Sequence, residues 1–487
     1  MKWLIGSTLV VALVEATVLP PSDDPFYTAP ANVSSYNPGD IIRSRPSPGP
    51  IEGLSNVQNS YEILYRTTDA LNNAEATVTT VVIPPNADFS QLLSYQVAED
   101  SAYSACAPSY TWLQASGADT TVQPFLDSSW VVCVPDYEGP KSAFTAGIQA
   151  GQAVLDGVRA CLNSGSITGL NSDARVVLSG YSGGALASGW AAQLQPTYAP
   201  ELTIAGAAFG GFPVNITATA LITNGGLYAG LIPSGILGLG DAYPTVNQTV
   251  TENLVASTAS KFLQAGQQCL DADILEYAGE DIFSYFTDGQ ELLYLPAIQQ
   301  VLNENTLGAT PPQIPLYVFQ GIADQVAPVV NVDETITDYC NEHAPSIEYI
   351  KYPGEDHTGA ASAGYPAAIV WLEEIMSGSA PISGCLTSTT TGVSSGASSA
   401  TVSTTANSTV STTSSSVTAF SNTTTSATQQ SGSAVVTATT AAVTGSSNIS
   451  TSGVPSHSSS SPATANGSTK VAISLLAGSL ALVSFLF

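Results

Sequence analysis

Residues 178–190 read LSGYSGGALASGW, which sets Ser182 in the pattern G-x-S-x-G at 180–184. A serine is a weak nucleophile near neutral pH and needs a base, most often a histidine. With a carboxylate that orients the imidazole, such a serine carries out acyl transfer through a covalent intermediate. The five-residue pattern alone is weak. GVSSG at 392–396 fits it equally, within a Ser/Thr-rich stretch that cannot fold around a site. Ser182 therefore counts only with a strand before it, a helix after it and partners downstream.

That context is present. The apolar run 175–178 reads as a strand, glycines stand at 180, 183 and 184, and an Ala-rich helical stretch follows at once. Glycines flanking the serine suit a strained strand-to-helix turn that lifts the hydroxyl clear of the sheet. The backbone N–H of Gly183 then points where an oxyanion would form. The chain has three histidines. His457 lies in the Ser/Thr-rich stretch, and His343 lies in a polar connecting segment. His357, in KYPGEDHTGAAS, follows a predicted strand and precedes the last helix, which places it at the same sheet edge as Ser182. It is the expected base, and activity should fall at low pH as its imidazole protonates. Asp324, in VFQGIADQVAP, follows the strand 316–319 and a Gly turn and is the expected orienting acid, with Asp333, Asp338 and Asp356 as rivals. The order Ser, Asp, His is that of the α/β-hydrolases.

The elements that must hold these residues are short Val- and Ile-rich runs alternating with helical segments. Strands are predicted over 78–83, 93–97, 130–134, 175–178, 316–319 and 347–350. Helices are predicted over 146–163, over 185–194 with Pro196 closing it, and over roughly 366–376. This alternation predicts an α/β fold, a largely parallel sheet covered on both faces. Residues 210–310 break the rhythm and read as an inserted, mainly helical cap; the alternative is two ordinary crossovers with an undetected strand. Within it, Leu227, Ile232, Ile236, Leu237 and Leu239 either line an acyl channel or form the cap's own core.

Composition divides the 487 residues further. Residues 1–16 carry one Lys, an apolar run and a small residue at Ala16, as a secretory signal does. Residues 386–469 are mostly Ser, Thr, Ala, Gly and Val without an Asp, Glu, Lys or Arg, which predicts an extended, glycosylated stalk. Lys470 precedes 17 apolar residues, 471–487, which fit a lipid-anchor (GPI) signal better than a tail-anchored helix. The body, 17–385, holds 37 of the 38 acidic residues. So acidic a surface repels phosphate backbones and excludes nucleic acid as a partner. All six cysteines lie in the body, and in an oxidising compartment some should pair, with 15 complete pairings open. Sequons at Asn32, Asn215 and Asn247 agree with secretion. The expectation is a monomer that needs no cofactor or metal.

Several longer motifs go beyond this pattern. DDPFY at 23–27, EDSA at 99–102 followed by CAPSY, PDYEGP at 135–140, GYSGGALASGWAAQLQPTYAPEL at 180–202 and GLIPSGILGL at 230–239 together resemble the fungal secretory lipase family, the Candida antarctica lipase A type. The likeness covers nearly all of residues 20–385 and leaves out the stalk and anchor. It implies an α/β-hydrolase with a helical cap, acting on triacylglycerols and other esters. An esterase or lactone hydrolase would use the same three residues, whereas a non-catalytic cell-wall protein, the further alternative, would not need Ser182, Asp324 and His357 all intact. The resemblance also implies that Asp100 joins Gly183 in the oxyanion contact, and that Cys106 pairs with Cys269 and Cys340 with Cys385. Cys133 and Cys161 then remain, as buried thiols or as a mutual pair.

Overall fold

The computed structural model describes residues 18–390; the expected signal, most of the stalk and the apolar end lie outside the described residues. Ten strands form one sheet: β1 (Ile41–Pro46), β2 (Asn59–Thr68), β3 (Ala74–Ile83), β4 (Asp88–Gln96), β5 (Trp130–Pro135), β6 (Arg175–Tyr181), β7 (Ile204–Gly210), β8 (Leu316–Gly321), β9 (Ser346–Tyr352) and β10 (Gly384–Thr389). Their spatial order is β1-β2-β3-β5-β4-β6-β7-β8-β9-β10. The pairs from β1 to β5 are antiparallel, and from β5 onward every pair is parallel. The fold is that of an α/β-hydrolase.

The central strands β5, β6, β7 and β8 are buried on both faces, which is why they are apolar along nearly their whole length, whereas the edge strand β10 is largely exposed. On one face lie α1 (Gly147–Leu162) and α2 (Gly183–Tyr198), packed over Val176, Leu178 and Val131. On the other lies α9 (His357–Met376), whose Trp371, Leu372 and Ile375 cover Val177, Ala208 and Phe319. Between β7 and β8 runs a helical insertion with α3 (Ile216–Thr223), α4 (Leu231–Ala242), α5 (Pro244–Asn253), α6 (Leu270–Tyr277) and α7 (Pro296–Glu304). After β8, α8 (Val329–Asn341) leads to β9.

Several elements depart from the sequence expectation. β6 continues past Leu178 to Tyr181, so Ser182 follows the last strand residue directly. Pro196 lies inside α2 instead of ending it: the helix runs to Tyr198, and the Gln195 amide donates to the carbonyls of Ala199 and Leu202 beyond its end. α9 begins at His357, nine residues before Pro366, with the Asp356 carboxylate accepting the Gly359 N–H at its N-cap. Its first turns, HTGAASAGY, read as loop because small residues hide the period. β7, IAGAAFG, has too few bulky residues to announce a strand; Gly206 faces Trp371 and Gly210 faces Phe319, so side chains there would clash. The ordered body also runs past Cys385, because β10 continues to Thr389 alongside β9.

Cys106 is bonded to Cys269, tying the loop after β4 to the helical insertion, and Cys340 to Cys385, tying the end of α8 to β10. Cys133 and Cys161 are buried free thiols. The second bond spans 45 residues and includes the segment with His357. Removing it with paired Cys340→Ser and Cys385→Ser substitutions should lower the free energy of unfolding by about 2–4 kcal/mol, from loop closure in the unfolded chain. Urea unfolding measures this, and an unchanged midpoint would contradict it.

Candidate active site

Ser182 occupies the N-cap of α2 with φ 55° and ψ −118°, a left-handed conformation rare for a side-chain-bearing residue. Two backbone bonds hold it there: its N–H donates to the Gly210 carbonyl at 3.0 Å, and its carbonyl accepts from Leu186 at 2.9 Å. The flanking glycines are sterically required. A Cβ on Gly184 would stand 2.0 Å from the Gln96 carbonyl oxygen, and one on Gly183 would stand 1.7 Å from Asp100 Oδ1.

His357 Nε2 lies 2.8 Å from Ser182 Oγ, and its Nδ1 lies 2.9 Å from Asp324 Oδ2 and 3.0 Å from Oδ1. The three side chains come from the ends of β6, β8 and β9, so the parallel sheet brings residues 175 positions apart to one edge. All three are buried. Asp324 is fixed by the N–H groups of Val326 and Ala327, each donating at 2.8 Å to Oδ1, and by the Gln320 amide donating to Oδ2. The His357 N–H donates to Gln325 Oε1, the Tyr181 hydroxyl donates to the His357 carbonyl, and the Tyr181 ring lies 5.2 Å from the imidazole. With its Nδ1 proton directed at Asp324, the imidazole leaves Nε2 free to accept the serine proton.

The rivals lie elsewhere. Asp333 pairs with Lys351, Asp356 caps α9, and Asp338 sits within α8. His343 is exposed, with its ring on the Asn341 carbonyl. Gln320, Gln325 and Tyr181 were not anticipated. A signal existed for Gln320, a lone amide in the apolar run LYVFQG that stays fully buried.

Asp100 follows β4 with φ 47° and is buried over Gly183. Its Oδ1 has no hydrogen-bond partner. Burial pushes its carboxyl up to about 7, against the opposing pull of His357 and the Gly183 N–H. Ser182, Gly183 and Asp100 open onto an almost wholly apolar cavity of about 640 Å³, its open mouth included. Of the five apolar residues singled out in the insertion, Ile232, Ile236 and Leu239 line it. Leu227 is 60% exposed, and Leu237 packs toward Gly266 instead. Among the sequons, Asn32 and Asn247 are exposed, whereas Asn215 caps α3 by accepting the Ala218 N–H.

Fold and site together define an α/β-hydrolase with Ser182 in the strand-to-helix turn after β6. The secretory lipase family pattern matches residues 109–384. Lipase 4 of Candida albicans is 42% identical over 400 residues, covering 77% of this chain and 86% of that protein. Lipase A of Arthroderma benhamiae is 38% identical, covering 78% and 85%. The crystal structure of Candida antarctica lipase A in its closed state superposes with a TM-score of 0.70 at 34% identity, covering 76% of this chain and 89% of that one. The rice cell wall degrading esterase LipA from Xanthomonas oryzae shares the fold at 16% identity and a TM-score of 0.59. The chain belongs to the secretory lipase family, and the enzyme is a carboxylic ester hydrolase.

Proposed function

We propose that this enzyme is a secreted triacylglycerol lipase that works through an acyl-enzyme on Ser182. The observation that carries the reading is the hydrogen-bonded chain from Ser182 through His357 to Asp324 at the mouth of an apolar cavity. Ser182 Oγ attacks the ester carbonyl carbon while its proton passes to His357 Nε2. The carbonyl oxygen becomes an oxyanion, stabilised by the Gly183 N–H and by the Asp100 carboxylic acid, which donates in its protonated form. Collapse breaks the ester C–O bond, and the imidazolium gives its proton to the leaving alkoxide. Water, deprotonated by His357, then attacks the acyl-enzyme and returns Ser182 as the free hydroxyl. Asp324 orients the imidazole and stabilises its charged form throughout.

The helical insertion over about 210–310 acts as the cap, and its cavity takes the acyl chain. Apolar lining rewards each buried methylene by about 0.8 kcal/mol, which favours long chains over short ones. The test is a hydrolysis profile over p-nitrophenyl esters of graded length. kcat/KM should rise from acetate toward longer chains, and a profile that falls steadily from acetate would favour a soluble-ester esterase instead. Leu302→Trp fills part of the cavity wall. It should cut kcat/KM for the longest esters about tenfold or more while leaving butyrate little changed. An equal loss at all lengths would contradict the channel.

For placement, we propose that residues 1–16 direct secretion, that Asn32, Asn215 and Asn247 carry glycans, and that the apolar residues 471–487 are exchanged for a glycolipid anchor beyond the Ser/Thr-rich stalk. The enzyme is proposed to act as a monomer. Phosphatidylinositol-specific phospholipase should release active enzyme that lacks residues 471–487. Recovery of those residues on the mature protein would contradict the anchor.

A further inference from the structure

Two carboxyl groups beside the site remain without a role. Glu99 belongs to EDSA and Glu138 to PDYEGP, two of the motifs quoted above. They are 5% and 2% exposed. Among the described residues, they alone have both carboxyl oxygens buried without a hydrogen-bond partner. β4 and β5 pair in parallel, Leu93 opposite Val132 and Ser94 opposite Cys133. Glu99 lies three residues past the end of β4 and Glu138 three past the end of β5, at the same end of these neighbouring parallel strands, and the charge of Glu99 acts on Glu138. The two loops are also tied directly, because the Tyr137 hydroxyl donates to the Val97 carbonyl at 2.6 Å.

An unpaired buried carboxylate is prohibitively costly, and two side by side cannot both be ionised. The ionisable groups facing the pair are Asp100, Asp136 and the Tyr137 phenol. Behind Asp136 stands Glu62, and beyond Asp100 stands His357. No Lys or Arg is among these groups. The backbone N–H groups of Ser101 and Asp100 approach the Glu138 carboxyl and favour its charged form, though short of full hydrogen-bond geometry. The four unpartnered oxygens are satisfied if the carboxyls carry protons and donate O–H to one another.

We propose that Glu99 and Glu138 form a buried carboxyl pair joined by their own protons, and that the pair is a positioning element holding the adjoining Asp100 over Gly183. This deepens the reading of Asp100 as an oxyanion donor and rests on it. Burial pushes both glutamates well above the ordinary carboxylate range, Glu138 further through the charge of Glu99. The folded state therefore keeps protons that the unfolded chain has released, so stability is full at low pH and declines as pH rises through the pair's folded-state titration. Once the pair has lost a proton, the charge left inside loosens the two loops and takes Asp100 out of place.

The test compares the whole secreted enzyme with Glu138→Gln, Glu99→Gln and the double amide variant, by thermal unfolding across pH and by the pH profile of kcat/KM on p-nitrophenyl butyrate. An amide keeps one donor and one acceptor without a proton to lose. Each single variant should move the alkaline midpoint of unfolding, and the further fall in kcat/KM that lies above the limb set by Asp100 itself, upward by about one pH unit or more, as expected for strongly interacting sites. Variants that shift the unfolding temperature equally at every pH would overturn the pair, since that is what a merely structural role predicts. Failure of the double amide variant to fold would also overturn it, because an amide pair reproduces the reciprocal contact. If unfolding shifts as expected but Asp100→Asn retains the lower limb near 7, the oxyanion reading falls and the carboxyl pair stands.

Discussion

Ser182→Ala should lower kcat by at least roughly 10⁴-fold, and His357→Ala by about the same, because such residues act as one unit and losing either forfeits the whole. The geometry gives the reason. A single hydrogen bond of 2.8 Å joins Oγ to Nε2, and a second of 2.9 Å joins Nδ1 to Asp324. Without the imidazole the serine keeps its proton; without the serine the imidazole has no nucleophile to activate. The double variant should be scarcely worse than either single one. Both proteins should fold, since alanine fills less space than either residue and the Ser182 backbone bonds to Gly210 and Leu186 survive. Stopped assays on p-nitrophenyl esters with purified variants measure this. Retention of more than about a tenth of wild-type kcat in Ser182→Ala would contradict the nucleophile assignment.

Asp100 carries the second large effect. Removing one oxyanion donor typically costs about 10²–10³ in kcat, and Asp100→Ala should fall in that range with KM little changed. The acid donates only while protonated, and burial places its titration at about 7. Its contribution is therefore full below that value and is lost as pH rises through it, giving kcat/KM an alkaline limb near 7. Asp100→Asn places an amide donor there at every pH. It should keep much of the activity and lose that limb. A wild-type kcat/KM that stays flat from pH 6 to 9 would contradict a donating Asp100. The same burial argument has a consequence for stability. Asp136, pushed up to about 7 by desolvation, also keeps its proton in the folded state, so this end of the sheet favours mildly acidic conditions.

Much of this site was legible in the sequence because its chemistry is tied to local pattern. The turn that holds Ser182 announces itself by glycines that the fold requires, as the 2.0 Å approach at Gly184 makes plain. With only three histidines in the chain, elimination and strand position sufficed to single out His357. Asp324 was favoured over nearer rivals because it follows a strand, and the structure sets it within hydrogen-bond distance of the imidazole. What escaped depends on tertiary context. β7 and the first turns of α9 are built from small residues whose period is set by Phe319 and Trp371 pressing against them. Pro196 reads as a stop, yet the helix runs on to Tyr198, with the Gln195 amide donating to the carbonyls of Ala199 and Leu202 beyond its end. The channel residues shared one apolar stretch, and only packing separates Ile232, Ile236 and Leu239 from the exposed Leu227. Gln325 looks like any loop amide until the fold sets it against the His357 N–H.

The central claim is that Ser182 forms the covalent acyl-enzyme. The most direct measurement treats the purified enzyme with a long-chain alkyl p-nitrophenyl phosphonate and follows residual activity, released p-nitrophenol and the mass of the peptide that contains residue 182. The phosphonate imitates the tetrahedral oxyanion and leaves a stable bond to the attacking oxygen. One equivalent of p-nitrophenol should be released per enzyme, the added mass should map to Ser182, and activity should vanish in step with labelling. Labelling on any other residue, or full loss of activity with Ser182 unmodified, would contradict the assignment.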